Sequence, residues 1–396
     1  MKEKNNHILT INAGSSSIKF ALYEMHDNPL LKLSGKINRI GLKDAEFVIE
    51  ENKNQRKENI DARDFHRATI SLIDWLEKQD WFQNVNAIGH RVVHGMQHTQ
   101  AEIITGELIK ELNKISSYDP DHLPAEIEII NSLKKKHPQL LQVACFDTAF
   151  HTTIPAVAKT FAIPKKYFDE GIQRYGFHGI SYSYLMEELK KKNADTYNGK
   201  IILAHLGNGA SIAAVKDGKC IDTSMGFTPA GGIVMSTRSG DLDPGIAWYL
   251  MEKGMNAKDF NNLINHQSGL LGISGISADM QDLLRQQKEN KDALLAIEIF
   301  CYQIKKYIGG YAAALGGLNV LVFSGGIGEN ASEVRSRICK GLMYLGVELN
   351  DEKNNKNEWQ ISAGKSKVEV YVIPTNEELM IAKETGKVFR KNKKVS

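Results

Sequence analysis

The chain has 396 residues, of which 42% are hydrophobic and 24% charged, and these are ordinary values for a globular protein. Its 50 basic and 47 acidic residues leave a formal net charge of +3, which is too balanced to favour nucleic acid or an anionic membrane as a partner. A chain of this length exceeds one compact core, so two domains are predicted.

The four cysteines lie far apart and form no C-x-x-C pair, which argues against a zinc knuckle or a disulfide framework. This spacing favours a reduced, cytoplasmic setting. The first residues, MKEKNNH, lack an apolar signal core, so secretion is not expected. The uncharged stretch 307–328 is long enough to span a membrane, but its glycines predict a buried helix, a turn and a strand instead.

The first segment, HILTINAGSSSIKFALYE at residues 7–24, predicts two strands joined by a tight, hydroxyl-rich turn. Apolar spacing then predicts a helix over 64–79, a strand over 86–95, a second helix over 124–137 and a strand over 140–147.

The second half begins with a similar pattern. Ile8–Leu22 and Ile201–Val215 share an apolar strand, a small polar turn and a strand of small residues. The pattern predicts a duplicated architecture; the alternative is two unrelated hairpins that look alike. Further on, a helix over 293–315 is predicted to lead into a strand and a glycine run, with a new helix starting near 330–332. A last helix is predicted from Glu377.

Three glycine-rich turns each follow an apolar strand: Gly14-Ser-Ser-Ser, Gly207-Asn-Gly and Gly325-Gly-Ile-Gly-Glu-Asn. Backbone N–H groups in such turns and at helix N-termini bind anions. The three together predict a nucleotide held from several sides. Lys19 points at a phosphate in this hypothesis, and is an ordinary surface lysine in the alternative.

Four polar residues lie in unusual surroundings. Arg91 is on an otherwise apolar strand, and Arg238 is in a polar loop beside two aspartates. An arginine fork suits carboxylate and phosphoryl oxygens, although each arginine is equally consistent with an internal ion pair. Asp147 ends a buried strand, where a carboxylate is costly unless it is paired or metal-bound. His178 lies between an aromatic residue and a glycine, where a histidine is more often structural.

Ten motifs, in this order, resemble those of the acetate kinase family from Asn12 to Ala382: NAGSSSIKF, HRVVHG, FDTAFH, YGFHGIS, HLGNG, DTSMGFTP, TRSGDLDPG, SGISADM, GGIGEN and IPTNEELMIA. The resemblance implies an α/β fold of the sugar kinase, Hsc70 and actin superfamily. Two duplicated actin-like (ribonuclease H-like) domains, each a mixed sheet flanked by helices, would enclose an interdomain cleft. The expected boundaries are 1–150, with helix 380–396 packing back on it, and 151–379.

The same resemblance implies reversible phosphoryl transfer from ATP to a short carboxylate, acetate first, with Mg²⁺ (or Mn²⁺ in its place) as cofactor and a homodimer as the assembly. By motif position it assigns Asn12 and Glu377 to the metal, and Arg91, Asp147, His178 and Arg238 to catalysis. It assigns substrate binding to Arg91, Val93, His122, Phe177 and Pro229. It assigns ATP binding to Lys19, His205, Leu206, Gly207, Asn208, Gly209, Asp279, Met280, Gln281, Gly326, Ile327, Gly328, Glu329 and Asn330.

A carboxylic acid with a pKa of about 4 is already an anion at neutral pH, so Asp147 is not needed as its base. Its predicted role is to organise the arginines and the water shell of the magnesium ion. The chain departs from the family pattern around the expected acyl pocket and nucleotide edge, at Met96, Asp121, Leu123, Ile180, Tyr182, Ala230, Gly231, Ser236 and Gln281. Two alternatives therefore stay open: a propionate kinase on the same fold, and a nucleotide-dependent switch without metabolite phosphorylation.

Overall fold

The computed structural model describes residues 7–14, 16–52, 54–192 and 194–395. The described strands are β1 His7–Ala13, β2 Ser17–Glu24, β3 Leu30–Asn38, β4 Glu46–Glu51, β5 Asn54–Glu58, β6 Val85–Val92, β7 Glu102–Ile103, β8 Leu141–Phe146, β9 Lys200–Leu206, β10 Ala210–Lys216, β11 Lys219–Thr223, β12 Val320–Ser324 and β13 Glu369–Val372.

The described α-helices are α1 Phe65–Glu77, α2 Gly106–Lys114, α3 Leu123–Lys136, α4 Ala156–Lys159, α5 Lys165–Asp169, α6 Gly179–Lys192, α7 Ala194–Tyr197, α8 Pro244–Glu252, α9 Ala257–His266, α10 Gly269–Ser274, α11 Met280–Gln286, α12 Lys291–Leu315, α13 Gly325–Asn330, α14 Ser332–Cys339, α15 Asp351–Asn355 and α16 Glu377–Val395. Short 3₁₀ helices lie at Asp80–Asn84, Ser116–Tyr118, Ala149–Thr153 and Met343–Leu345.

The chain divides into two compact units. Unit 1 runs to Ala149 and resumes at Asn376, and unit 2 comprises Phe150–Thr375. That these two units are independent domains stays a prediction.

Unit 1 is built on one mixed sheet with the strand order β5-β4-β3-β2-β1-β6-β8-β7. Its core on one face is aromatic: Phe20 and Phe47 lie within 5.6 Å of Trp75 on α1, measured between ring centroids. On β6, a Cβ at Gly89 would overlap Thr385 Oγ1, so glycine is needed for the close approach of α16. The last helix of the chain therefore belongs to the first unit.

Unit 2 has a smaller mixed sheet with the order β11-β10-β9-β12-β13. Its first three strands pair antiparallel and the next two pairs are parallel. In unit 1, β3-β2-β1-β6-β8 repeat that order and those directions. The duplicated architecture predicted from the two similar hairpins is therefore confirmed.

Two details of the second half bear on the sequence predictions. The stretch 307–328 contains the end of α12, a turn and all of β12, as its glycines predict, and also the start of α13. None of the described helices has the length and apolar character needed to cross a bilayer. The helix predicted to start near 330–332 is observed as α14, Ser332–Cys339. The glycine run before it, Gly325–Asn330, is a separate short helix that the sequence did not predict.

The four cysteines are free and buried. Burial raises the pKa of the Cys145, Cys301 and Cys339 thiols to about 12 and raises that of Cys220 as well. Cys145 belongs to unit 1 and the other three to unit 2.

Candidate active site

In unit 1, Arg91 and Asp147 meet at the ends of the neighbouring parallel strands β6 and β8. Asp147 directly follows β8, and its backbone N–H donates to the carbonyl of Val92 over 3.0 Å. Arg91 donates to Asp147 Oδ2 from Nε at 3.0 Å and from Nη2 at 2.6 Å. Because the Asp147 side chain is 1% exposed and that of Arg91 13%, this is an almost fully buried ion pair.

Glu126, on α3, is a third member of this group, and the sequence reasoning missed it. Its Oε1 lies 3.4 Å from Arg91 Nη1, and its Oε2 accepts the backbone N–H of Val93 at 2.9 Å. Burial raises the pKa of Glu126 to about 8, although the nearby Arg91 opposes the shift. One feature of the sequence could have identified Glu126: it lies three residues after Leu123 and four before Ile130, on the buried face of the helix.

The charge of Arg91 is stabilised by these carboxylates. Burial alone would lower the pKa of Arg91, but Asp147, Glu126 and Glu377 outweigh it, so the pKa lies above its ordinary value. The guanidinium therefore stays charged at every working pH.

The residues beside Arg91 include two of the expected substrate-binding residues. Val93 is 1% exposed and directly follows β6. His122 is partly buried, and its Nδ1 lies 2.9 Å from Asp119 Oδ1. Burial lowers the pKa of His94 to about 4, so this neighbouring imidazole is neutral.

The expected metal and phosphate residues of unit 1 also lie close together. Asn12 is the penultimate residue of β1, and its Nδ2 donates to Glu377 Oε2 at 3.0 Å across 365 residues of sequence. Lys19 is the register partner of Asn12 on β2 and its side chain is exposed. No group of three or more His, Cys, Asp and Glu side chains in the described part of the chain is placed to hold a metal ion.

In unit 2, His178 precedes α6 with φ +61°, a conformation uncommon outside glycine. Its Nδ1 lies 2.9 Å from Ser211 Oγ, which also contacts the buried Tyr182 hydroxyl. Its ring stacks on His205 with centroids 4.4 Å apart. His205 Nδ1 in turn lies 2.8 Å from Ser181 Oγ. Strand β10, strand β9 and helix α6 thus fix the orientation of both imidazoles.

The glycine turn between β9 and β10 lies directly against His178 and Arg238. A Cβ at Gly209 would be 3.2 Å from His178 Nε2 and 3.6 Å from Arg238 Nη1. On the other side of the turn, a Cβ at Gly207 would be 3.9 Å from the backbone N of Gly326. A side chain at Gly209 would therefore crowd the His178 ring, while Arg238 and the second glycine run lie at ordinary van der Waals distance from the turn.

The loop that carries Arg238 packs on the same turn, since Ser236 N donates to the Asn208 carbonyl over 3.1 Å. Arg238 Nη1 lies 3.4 Å from the carbonyl of Pro229, one of the expected substrate-binding residues.

The two aspartates beside Arg238 accept hydrogen bonds from other groups. Asp241 accepts from Gly232 N and from the Tyr307 hydroxyl. Asp243 caps α8.

Phe177, also expected to bind substrate, is 1% exposed. Its carbonyl accepts a hydrogen bond from His151 Nε2 at 2.9 Å, and Cys220 Sγ lies 3.2 Å from the other nitrogen of that imidazole. These contacts fix the backbone immediately before His178.

The third glycine run is closed by its own glutamate. Glu329 Oε1 accepts from Gly325 N at 2.9 Å and from Thr375 N at 3.1 Å. Asn330 Nδ2 donates to the Gly326 carbonyl at 3.0 Å. Two of the expected ATP-binding side chains therefore hold the shape of this short helix.

The remaining expected nucleotide residues lie at the start of α11. Asp279 caps that helix by accepting from Gln281 N at 2.7 Å. Met280 is 3% exposed, so its side chain is part of the unit 2 core.

Arg335, on α14, is a second residue that sequence reasoning missed, and it is fully buried. Its Nη1 donates to the carbonyls of Gly328 and Glu329 at 2.8 and 3.0 Å. Its Nε and Nη2 donate to Asn354 Oδ1 and O, and Nη2 also reaches Asn357 Oδ1. Burial lowers the pKa of Arg335 to about 10. This guanidinium ties the glycine run to α15.

The repeated five-strand order and the glycine turns packed against a histidine–arginine cluster define an α/β kinase fold of the actin-like type. The model of the Acetokinase family matches residues 7–383, and the chain belongs to that family.

Curated relatives resemble the chain over nearly its whole length. The acetate kinase of Clostridium acetobutylicum is 43% identical over 402 residues, covering 97% of this chain and 99% of that protein. The acetate kinase of Bacillus subtilis is 44% identical over 393 residues, with the same coverage of 97% and 99%.

Two solved structures are also similar to the chain over nearly its whole length. The acetate kinase of Porphyromonas gingivalis is 37% identical with a TM-score of 0.86, covering 97% of this chain and 99% of that one. A propionate kinase from Francisella tularensis is 39% identical with a TM-score of 0.90, covering 97% and 100%. The expected fold is confirmed.

Proposed function

We propose that this chain catalyses the reversible, Mg²⁺-dependent transfer of a phosphoryl group from ATP to acetate, giving acetyl phosphate and ADP. Family membership and the acetate kinase relatives support the reaction class. The observation that carries the proposal is the approach of His178 and Arg238 to the same glycine, Gly209. Phosphoryl transfer depends on positioning and charge neutralisation, and an imidazole and a guanidinium beside a glycine turn supply both.

Arg91 is the proposed anchor for the carboxylate of the acid, with Val93 and His122 of the same unit beside its acyl group. In unit 2, Phe177 and Pro229 are the residues proposed to bind the acid. Acetate is an anion at neutral pH, so no base is required to activate it. Asp147 holds Arg91 through two hydrogen bonds and thereby orients the guanidinium. The guanidinium in turn orients the attacking oxygen.

Asn12 and Glu377 are the proposed metal residues. Mg²⁺ in nucleotide sites usually takes one or two carboxylates plus phosphate oxygens, and an amide beside one carboxylate fits this pattern. A bound Mg²⁺ or Mn²⁺ would neutralise charge on the phosphates. Lys19, the register partner of Asn12 on β2, is proposed to add a second positive charge.

The nucleotide is proposed to bind the two glycine runs of unit 2, Gly207–Gly209 and Gly326–Asn330, with His205, Leu206 and Asp279–Gln281 beside them. The contact between Gly207 and Gly326 supports a single site for both runs. Backbone N–H groups there would face the phosphates.

The test is acyl phosphate formation, trapped as the hydroxamate, from ATP, Mg²⁺ and each straight-chain acid from formate to butyrate. We expect acetate to have the highest kcat/KM and EDTA in excess over Mg²⁺ to abolish the product. Arg238→Gln, purified identically, should lose activity, whereas the exposed Arg63→Gln should retain it.

The same assay distinguishes the alternatives. A clear preference for propionate or butyrate would overturn the acetate assignment. The similarity to the Francisella tularensis propionate kinase is the reason to test propionate. Absence of acyl phosphate with every acid would favour a nucleotide-dependent switch. We also propose a cytoplasmic location, which suits four free thiols.

We further propose a homodimer, with α8 as the contact surface. No residue of α8 is buried, and four of its large apolar side chains are exposed: Ile246 by 42%, Trp248 by 68%, Tyr249 by 60% and Met251 by 41%. A run of large exposed apolar side chains on one helix is typical of an interface.

Trp248→Glu is therefore expected to convert the dimer to a monomer, measured by light scattering on a sizing column at micromolar protein. The added charge would have to be desolvated in the interface. Tyr344→Glu is the control, because Tyr344 is 74% exposed outside α8 and its substitution should leave the mass unchanged. A monomeric wild-type chain would reject the proposal.

A further inference from the structure

Glu126 contacts two residues expected to bind the acid, and it does so with both carboxylate oxygens. Oε1 lies 3.4 Å from Arg91 Nη1, and Oε2 accepts the Val93 N–H at 2.9 Å. The side chain is 1% exposed, so solvent does not screen these contacts. One buried carboxylate thus positions both the guanidinium and the backbone that follows β6.

Its position is set by the packing of α3. Leu123, Ile127 and Ile130 on the same helix are buried, and the helix lies against β6. A carboxylate on such a helix cannot follow Arg91 if the guanidinium moves. Any change in the charge of Glu126 therefore acts directly on Arg91.

The charges around Glu126 decide which protonation state suits an anionic substrate. Arg91 faces it from β6, Asp147 from the end of β8 and Asp119 from the segment before α3. His94, beside Asp119, is neutral. With Glu126 ionised, the single positive charge of Arg91 is offset by two carboxylates that contact it. With Glu126 protonated, only Asp147 and Glu377 oppose it, and an incoming carboxylate meets less repulsion.

We propose that Glu126 is a positioning residue for Arg91 and Val93, and that the short-chain acid binds the form of the chain in which Glu126 carries a proton. This inference rests on the proposed function and extends it to a proton linked to substrate binding. The burial of Glu126 supports this inference, because burial raises the pKa of the carboxyl group to about 8. The group therefore gains or loses its proton near neutral pH.

The sign of the effect follows from the raised pKa. Below about pH 8 Glu126 holds its proton and KM for acetate is constant. Above about pH 8 the binding form is depleted, so KM for acetate rises about tenfold per pH unit, while kcat and KM for ATP change little. Acetate itself stays ionised throughout this range.

The experiment measures kcat and both KM values from pH 6.5 to 9.5 for the wild type, Glu126→Gln and Glu128→Gln. The amide introduced by Glu126→Gln does not titrate, so KM for acetate in this variant should lose the rise seen at high pH. Glu128, two residues along the same helix, pairs with His66 at the surface, and its variant should follow the wild type. Circular dichroism melting confirms that each variant is folded.

The outcomes are distinct. An active wild-type enzyme whose KM for acetate is flat to pH 9.5 overturns the inference without any variant, so a variant that fails to fold does not protect it. A Glu126→Gln enzyme that keeps the wild-type profile also overturns it. Absence of acetyl phosphate from the wild type at every pH removes the proposed function, and this inference falls with it.

Discussion

Asp147→Asn is expected to lower kcat for acetyl phosphate formation by about 10²- to 10³-fold, the typical effect of removing one preorganised polar contact. The amide keeps the shape of the carboxylate and one acceptor oxygen but removes the charge, so the hydrogen bonds from Arg91 Nε and Nη2 become weaker. Arg91 would then be held less firmly in its position, because its contact with Glu126 on the other side is longer, at 3.4 Å. The loss should persist at saturating Mg²⁺, measured by the hydroxamate assay.

The control for this variant is Asp222→Asn in unit 2. Asp222 is only partly buried but also lies beside an arginine, with Arg174 Nε 3.9 Å from its Oδ1, and it has no proposed part in catalysis. Its variant should retain kcat within a factor of a few. If Asp147→Asn turned over at nearly the wild-type rate with saturating Mg²⁺, the role assigned to Asp147 would be wrong.

Arg335→Leu is expected to lower the free energy of unfolding by about 3–5 kcal/mol, since several buried acceptors lose their donor at once. Those acceptors include the carbonyls of Gly328 and Glu329, which end the glycine run assigned to the nucleotide. KM for ATP should therefore rise as well, while KM for acetate changes less. Urea unfolding followed by circular dichroism, together with ATP titrations below the transition, measures both effects.

A matched variant exists on the same helix. Arg337 pairs with Glu333 and Gln287 near the surface, so Arg337→Leu should cost about 1 kcal/mol or less. Equal losses of stability in the two variants would show that the buried contacts of Arg335 carry no special weight.

Much of the fold could be predicted because it follows from local patterns. The first two strands of each unit differ in sequence from those of the other, yet each pair joins apolar segments through a turn of small polar residues. The five strands that the two sheets have in common follow the same order. The long helix predicted over 293–315 is observed as Lys291–Leu315. The short helix α13 was not predicted because glycine usually disfavours helix; here the Glu329 carboxylate accepts the Gly325 N–H and holds the turn.

The candidate site was only partly predictable, for a different reason. Residues such as Arg91 and Asp147 are conspicuous as charges on apolar strands. Glu126 and Arg335 lie on helices, where a charged residue is normally assumed to face solvent, and their partners are fixed by packing rather than by sequence spacing. Helical spacing relative to apolar neighbours is the signal that identifies both.

The placement of the thiols has a practical consequence. Each compact unit contains at least one cysteine that is shielded while its surroundings stay folded, Cys145 in the first and the others in the second. A short pulse of an alkylating reagent followed by peptide mass analysis would therefore report on the opening of each unit separately, without any engineered cysteine.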